Sequence, residues 1–143
     1  MSHKETRKAF CKDLHKAYDQ LAKEASTKHL TSLGFNVMEP ENIYIQDLIA
    51  EREDLSFMVE TEVKLVWRGD VFPYNTVQLP KRKEKFFIKE TLFYIWNKPL
   101  THAATFWSPN IKHLEPIEVQ NKYVSKGEFF YQIPIDLVKF IKL

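Results

Sequence analysis

The chain is organised around one alternating segment, Ser56-Phe57-Met58-Val59-Glu60-Thr61-Glu62-Val63-Lys64-Leu65-Val66-Trp67. Successive side chains of a β-strand point to opposite faces of the sheet, and this segment follows that period. One face receives Phe57, Val59, Thr61, Val63 and Leu65, whereas the other receives Glu60, Glu62 and Lys64. We therefore predict a strand that presents two carboxylates and an ammonium in a row, with neighbouring charges about 6.5–7 Å apart.

The composition is typical of one compact domain that covers residues 1–143. The chain is 44% hydrophobic and has 3 glycines and 7 prolines, which excludes a disordered or low-complexity protein. Cys11 is its one cysteine, so an intrachain disulfide and a cysteine-rich zinc site are excluded. A polar N-terminus, and no apolar run long enough to span a membrane, predict a soluble protein that is not exported.

A long amphipathic helix, in one or two segments, is predicted from about Lys4 to Leu33. Apolar residues recur there at intervals of three and four, and Gly34 is suited to end the helix. These residues are Phe10, Leu14, Ala17, Leu21, Ala25, Leu30 and Leu33. Glu24 borders the apolar stripe, and pairing with a lysine such as Lys28 is one interpretation of that position.

A second strand, Ile43–Ile49, is predicted to pair with the Ser56–Trp67 strand in antiparallel fashion through a polar connection at Glu51–Asp54. Asp47 shares one face of this strand with isoleucines. Because burying an unpaired carboxylate is costly, Asp47 is expected either to occupy a turn or edge or to hold a cation. The pairing brings Asp47 within reach of Glu62.

The segment after Trp67 is predicted to supply a third adjacent strand at Phe72–Leu79, followed by a short basic helix that Pro80 begins. The nearly continuous apolar run Leu92–Asn97 is typical of a strand covered on both faces and parallel to a neighbour. Ala103–Trp107 is a second such run. The strand–helix–strand connection after Gln78 is therefore predicted to be a crossover.

The C-terminal part is predicted to add two edge strands at Glu115–Val119 and Glu128–Ile133. The tail from Asp136 to Ile141 is apolar enough to pack on the sheet or on a second subunit.

Taken in order, the chain offers a helix with Glu24, a strand with Asp47, a strand with Glu62-Val63-Lys64, a strand with Gln78 and a basic helix. This arrangement, which spans Glu24 to Asn97, resembles the PD-(D/E)XK nuclease superfamily. Leu-Gly-Phe after the helix and Asp-Leu-Ile look like the small archaeal Holliday-junction resolvases. Phe72-Pro73-Tyr74 and Pro80-Lys81-Arg82-Lys83 look like small phage-encoded members.

The resemblance implies an α/β fold with a restriction-endonuclease-like α-β-β-β-α-β core, a mixed sheet, a long N-terminal helix and extra C-terminal strands. It implies that Asp47 and Glu62 bind Mg²⁺ or Mn²⁺, that Glu24 completes the metal site, and that Lys64 positions or activates the attacking water. Nucleic-acid binding is expected of Gln78, Lys81, Arg82 and Lys83.

The chemistry of phosphodiester cleavage independently requires these residue types. A hard cation neutralises charge on the phosphoryl group, and Mg²⁺ prefers carboxylate oxygens and water as ligands. Arg82 and Lys83 are suited to neutralise neighbouring phosphates. Glu60, on the same strand face as Glu62, is either a further ligand or a solvated acid.

The function expected from the sequence is a Mg²⁺-dependent endonuclease that hydrolyses DNA, with possible specificity for junctions or branched DNA. It is expected to be a homodimer, because two-strand cleavage needs paired sites, and to have no membrane association. The expected compartment is the cytoplasm of a bacterial, archaeal or phage-infected host cell. Two alternatives are a catalytically inactive nucleic-acid-binding module of the same fold, and a structural protein whose charged strand face is merely solvated.

Overall fold

The computed structural model describes residues 3–41, 47–121 and 124–143. Its helices are α1 (His3–Ser32), α2 (Ser108–Ile111) and two 3₁₀ segments, Lys81–Phe87 and Ile135–Leu137. Its strands are β1 (Asn36–Met38), β2 (Leu48–Arg52), β3 (Leu55–Val63), β4 (Thr76–Pro80), β5 (Thr91–Trp96), β6 (His102–Trp107), β7 (Ile117–Asn121), β8 (Val124–Pro134) and β9 (Lys139–Lys142). They form a mixed six-stranded sheet in the order β1-β2-β3-β5-β6-β9 and a three-stranded sheet in the order β4-β8-β7.

The six-stranded sheet is the middle of three layers. Phe57, Val59, Tyr94 and Trp96 pack on its first face against α1, where Leu30 is among the buried helix residues. On its opposite face, the buried residues Phe93, Ile95, Ala104 and Phe106 pack against Val77, Leu79, Tyr131 and Ile133 of the second sheet. The predicted mixed α/β fold, with a long N-terminal helix and additional C-terminal strands, is confirmed.

The helix α1 is one continuous helix, and it ends at Gly34 as the sequence predicts. Gly34 adopts a φ of 90°, a left-handed conformation that costs glycine little. Its N–H donates to the Thr31 carbonyl at 3.0 Å, and the Phe35 N–H donates to the Leu30 carbonyl at 3.1 Å, which is the Schellman pattern. The buried stripe differs from the predicted one, because Ala22 and Ser26 are fully buried whereas Leu14 and Leu21 are exposed.

The strand β3 has the face alternation that the sequence predicts, but it ends earlier. Phe57, Val59 and Thr61 are buried on the side of α1, and the intervening glutamates point towards the second sheet. At Lys64 the N–H donates to the Trp96 carbonyl, and the Trp67 N–H donates back to the Lys64 carbonyl at 3.0 Å. These bonds close a turn over Lys64–Trp67, so Lys64 follows the strand and does not continue it.

The antiparallel hairpin of β2 and β3 is confirmed, with Leu48 opposite Val59 and Arg52 opposite Leu55. Glu51 and Arg52 belong to the strand, and the connection is a tight turn in which Glu53 has a φ of 54°. The predicted strand positions 43–46 lie outside the described residues.

The prediction that Phe72–Leu79 forms a strand adjacent to β3 is wrong. The strand in this region is β4, which pairs with β8 of the second sheet. The place beside β3 is taken by β5, which runs parallel to it, as predicted for an apolar run buried on both faces. Val77 and Leu79 are buried while Gln78 is exposed, which suits a sheet with one covered face. The three antiparallel core strands are therefore β1, β2 and β3.

The crossover between parallel strands runs from β3 to β5 through β4 and the 3₁₀ segment. The predicted basic helix is present as that 3₁₀ segment, and Pro80 is the last residue of β4 instead of the first helical residue. The strand predicted at Ala103–Trp107 is confirmed as β6, antiparallel to β5.

The C-terminal strands complete both sheets. Among the described strands, β7 is an edge of the three-stranded sheet as expected, but β8 lies at its centre, so the edge prediction for Glu128–Ile133 is wrong. The tail packs on the main sheet as β9, which pairs with β6. No helix in the described part of the chain is long and apolar enough to cross a membrane.

Candidate active site

A pair of carboxylates lies where β2 begins beside β3. The register that sets Leu48 opposite Val59 brings Asp47 opposite Glu60. The Asp47 N–H donates to Glu60 Oε2 at 3.1 Å, and the Thr61 N–H donates to Asp47 Oδ2 at 2.9 Å. Backbone and side chain of Asp47 are thus both bound to β3, so the two carboxylates are held together by the hairpin itself.

An ammonium group from the crossover completes this cluster. Lys83, in the 3₁₀ segment, places its Nζ 3.0 Å from Glu60 Oε1. Glu60 is only 7% exposed, and Lys83 is also largely withdrawn from solvent. Of the two interpretations of Glu60, a further ligand or a solvated acid, the solvated acid is therefore wrong, because the second sheet and the 3₁₀ segment cover this face of β3.

The electrostatics of Glu60 reflect two opposing neighbours. Burial, and then the nearby Asp47 carboxylate, raise the pKa of Glu60 from its ordinary value of 4.5 to about 7, while Lys83 acts in the opposite direction. Burial beside a second carboxylate, only partly offset by Lys83, therefore favours the protonated form of Glu60.

Glu62 lies on the same face of β3, in a field of mixed sign. Burial raises the pKa of Glu62, whereas the charges of Lys83, Lys64 and Arg82 lower it. The carboxylate of Asp19, on α1, raises it further. Glu62 thus lies at the junction of three basic side chains and a helix carboxylate.

The crevice at this face is narrow. It is lined by Glu60, Thr61, Glu62, Leu79, Lys83, Phe93, Tyr94 and Ile95, with a volume of about 10 Å³. A space of this size holds about one water-sized group. Chemistry on a polymer would therefore take place at the mouth of the crevice and not within it.

The structure places Lys64 and Gln78 in one groove, as two residues of the predicted site. The groove is lined by Lys64, Tyr74, Thr76 and Gln78 and has a volume of about 200 Å³. Lys64 Nζ lies 5.3 Å from the centroid of the Tyr74 ring, a cation–π contact. Because the charge of Lys64 also lowers the pKa of Glu62, this groove begins beside Glu62.

Glu24 occupies a different depression, between α1 and the β1–β2 edge. Its neighbours there include Lys28, Glu39 and Leu48. The α1 carboxylate that acts on Glu62 is Asp19, which precedes the buried Ala22 by three residues and Ser26 by seven. That spacing aligns Asp19, which is itself exposed, with the side of the helix that buries Ala22 and Ser26, and this signal could have identified it from sequence.

The predicted basic residues divide into two groups. Arg82 and Lys83 act on the carboxylates of β3. Lys81 faces the second sheet, with its Nζ 5.9 Å from the centroid of the Phe129 ring. Sequence reasoning assigned all three residues to phosphates and missed the contact of Lys83 with Glu60, because that contact joins positions 23 residues apart.

The available donors suit a hard cation. In residues 3–41, 47–121 and 124–143 no three His, Cys, Asp or Glu side chains form a group able to hold a metal ion. Mg²⁺ needs fewer, since it is usually held by one or two carboxylates and completes its octahedron with water and substrate phosphate. Asp47 and Glu60 supply two carboxylates, and a dication would offset both the burial and the Asp47 repulsion that raise the pKa of Glu60.

No protein-family model matches the sequence, and no curated protein matches it at a significant level. Among solved structures, the chain is similar to that of the bacterial homing endonuclease I-Ssp6803I. The two are 14% identical, the match covers 75% of this chain and 78% of that one, and the TM-score is 0.50. At this identity the likeness concerns the fold alone.

Proposed function

We propose that the chain is a metal-dependent nuclease of the PD-(D/E)XK type that hydrolyses DNA phosphodiester bonds. The observation that carries this proposal is the Asp47–Glu60 carboxylate pair, which two hydrogen bonds hold together and which Lys83 contacts at Glu60. The fold shared with a homing endonuclease supports it.

The chain's own residues provide the positioning that such a reaction needs. The Thr61 N–H orients Asp47, and the Asp47 N–H orients Glu60, so neither carboxylate has to reorganise. A Mg²⁺ ion held by Asp47 and Glu60 would supply charge neutralisation at the phosphoryl group. Lys83, released from Glu60, and Lys64 would then contact phosphate oxygens on either side.

Two assignments of the acid-x-lysine element are possible within this proposal. In the pattern that the sequence suggests, Glu62 is the acid and Lys64 is the lysine. In the alternative, Glu60 is the acid, Glu62 takes the place of the lysine, and Lys83 supplies the ammonium from the crossover. The direct contacts of Glu60 with Asp47 and Lys83 favour the second assignment.

Cleavage of supercoiled, linear and four-way-junction DNA, with Mg²⁺ or with chelator, tests the function. We expect cleavage that requires metal, and a loss of about 100-fold or more in Asp47→Asn and Glu60→Gln, the cost typical of one preorganised group. Glu39→Gln is the matched control, because Glu39 is an exposed acid in the separate depression that contains Glu24. Full activity in Asp47→Asn would exclude this site.

Paired lysine variants distinguish the two assignments. Lys83 and Lys85 both lie over the Phe86 ring, at 5.5 and 5.0 Å, but the ion pair to Glu60 is made by Lys83. The second assignment predicts that Lys83→Met loses at least about 10-fold more activity than Lys85→Met and Lys64→Met. Equal activity of Lys83→Met and Lys85→Met, with a large loss in Lys64→Met, would restore the first assignment.

Preference for junctions or branched DNA, and a homodimer that pairs two such sites, belong to the same proposal. The relative rates on linear and four-way-junction DNA measure the preference. Sedimentation equilibrium measures the mass, for which we expect twice that of the 17.0 kDa chain.

A binding module of the same fold without catalysis is the second candidate. The Lys83–Glu60 ion pair favours it, since an ammonium at this carboxylate takes the place of part of a metal's charge. Binding of DNA with no cleavage in Mg²⁺ or Mn²⁺ would select this function.

A further inference from the structure

We propose that a pocket walled by Trp67, Phe72, Tyr74 and Phe140 binds an unpaired nucleobase of a DNA strand whose backbone lies along Lys64. This aromatic pocket has a volume of about 290 Å³, and Val71, Ile135, Asp70 and His102 complete its lining. The inference rests on the proposed function and deepens it, because it identifies the substrate as DNA with unpaired bases.

The pocket walls are aromatic rings in mutual contact. Phe72 is the centre, with its centroid 5.1 Å from Trp67, 5.6 Å from Tyr74 and 5.7 Å from Phe140. Trp67 is fully buried, whereas Tyr74 is 49% exposed. The pocket therefore has a fixed floor and an open aromatic wall on which a flat ring can stack.

The loop that builds this pocket is held in place before any ligand binds. The Trp67 carbonyl accepts from the Lys98 N–H at 2.7 Å, and Trp67 Nε1 donates to the Val71 carbonyl at 3.1 Å. The buried Asn97 donates through Nδ2 to the Gly69 carbonyl at 2.9 Å. These bonds fasten the turn after β3 to the β5–β6 connection, so binding need not order the loop.

The pocket shares a wall with the groove that begins beside Glu62. Tyr74 is a wall of the aromatic pocket and also of the groove that contains Lys64 and Gln78. Lys64 lies on the Tyr74 ring and near Glu62 at once. A strand whose phosphate contacts Lys64 thus has its base beside Tyr74.

The polar rim distinguishes a nucleobase from a purely apolar partner. The Asp70 carboxylate, 78% exposed, lies 3.6 Å from His102 Nδ1 at the rim. A carboxylate accepts hydrogen bonds from the amino groups of bases, and an aromatic side chain stacks on the face of any base. Lys64 can therefore pair with the phosphate, the aromatic rings can stack on the base, and Asp70 at the rim can accept hydrogen bonds from the base edge.

Two oligonucleotides of one sequence test the inference, each with 2-aminopurine at one position that is unpaired in the first and paired in the second. Affinities are measured by fluorescence, in chelator, so that no cleavage occurs. We expect tighter binding of the unpaired form and quenching of its fluorophore. Tyr74→Ala should weaken that binding by about 5- to 100-fold, as loss of one stacked base predicts, and should weaken duplex binding much less.

Two further variants keep the test specific. Tyr74→Phe retains the ring and should retain the preference. Phe129→Ala is the matched control, because Phe129 is also half exposed and has a lysine over its ring, but it lies on the second sheet. It should leave both affinities unchanged.

Several results would overturn the inference. Equal affinity of the unaltered protein for the two oligonucleotides would do so, as would an equal loss in Tyr74→Ala and Phe129→Ala. A dimer that becomes a monomer in Tyr74→Ala would assign the pocket to a second copy of the chain. Metal-dependent cleavage without base preference refutes the pocket alone, whereas base preference without cleavage refutes the nuclease proposal alone.

Discussion

Glu60 shows at the scale of one residue how the candidate site is maintained. It lies on a face that alternation in the sequence already marks as charged, yet it is buried beneath Leu79 and Lys83. Burial and the Asp47 carboxylate together disfavour its ionised form. Burying Glu60 in this way lowers the stability of the folded chain. Such a cost is common at sites where a protein holds a reactive group.

The pKa of Glu60 predicts how stability depends on pH. The folded value of about 7 exceeds the ordinary value of 4.5, so the folded chain binds more protons between these values. The stabilisation from this proton is fully present below about pH 4.5 and is lost as pH rises through 7. Glu60→Gln, which cannot ionise, should therefore have a higher Tm than the unaltered protein at pH 8.

Thermal unfolding followed by circular dichroism from pH 4.5 to pH 8 measures this difference. The gap in Tm between the variant and the unaltered protein should shrink towards pH 4.5. Glu90→Gln, at an exposed acid, should show no such trend. A constant gap for Glu60→Gln at all pH values would contradict the prediction.

At the scale of elements, α1 is docked on the sheet by a buried polar contact as well as by apolar packing. Ser26 Oγ lies 2.8 Å from Thr61 Oγ1 of β3 and accepts from Trp96 Nε1 of β5 at 2.9 Å. All three residues are buried, so each donor depends on its partner. This contact ties the helix that carries Asp19 to the strand that carries the glutamates.

Ser26→Ala should destabilise the chain by about 1–3 kcal/mol, because it leaves the Trp96 indole N–H buried without its acceptor. Urea denaturation measures the change. Ser32→Ala is the control, since Ser32 bonds only to the His29 carbonyl among the hydrogen bonds of the described residues and is exposed at the end of α1. Equal effects of the two substitutions would refute the role of the buried contact.

At the scale of the whole molecule, the candidate site lies between two layers and not at one surface. The middle sheet supplies Glu60 and Glu62, the hairpin supplies Asp47, and the crossover lays Lys83 over them. The second sheet closes the crevice through Leu79. Assembly of the site therefore depends on all these elements packing together.

Local stability should follow this layering. Within the main sheet β5 is flanked by β3 and β6 and covered on both faces, whereas β1 and β9 are its edges. Amide hydrogen exchange followed by mass spectrometry should show the slowest exchange in Thr91–Trp96 and faster exchange in Lys139–Lys142. Exchange in β9 as slow as in β5 would contradict this order.

Local patterns in the sequence determined much of the fold. Apolar spacing and Gly34 located α1, alternation located β3 and the orientation of its glutamates, and the apolar run at β5 indicated a strand buried on both faces. These features are readable because helix and strand periods depend on neighbouring residues alone.

The tertiary structure alone determined the features that depend on long-range contacts, namely the assembly of the candidate site and the pairing of β4. The sequence indicated Asp47, but only the register of the hairpin set it opposite Glu60, and only the crossover brought Lys83 to the same carboxylate. Likewise β4 pairs with β8 in the second sheet and β5 takes the place beside β3, because β4 has one apolar face to bury and β5 has two. Such choices depend on which surfaces meet in space, and that information is absent from local periodicity.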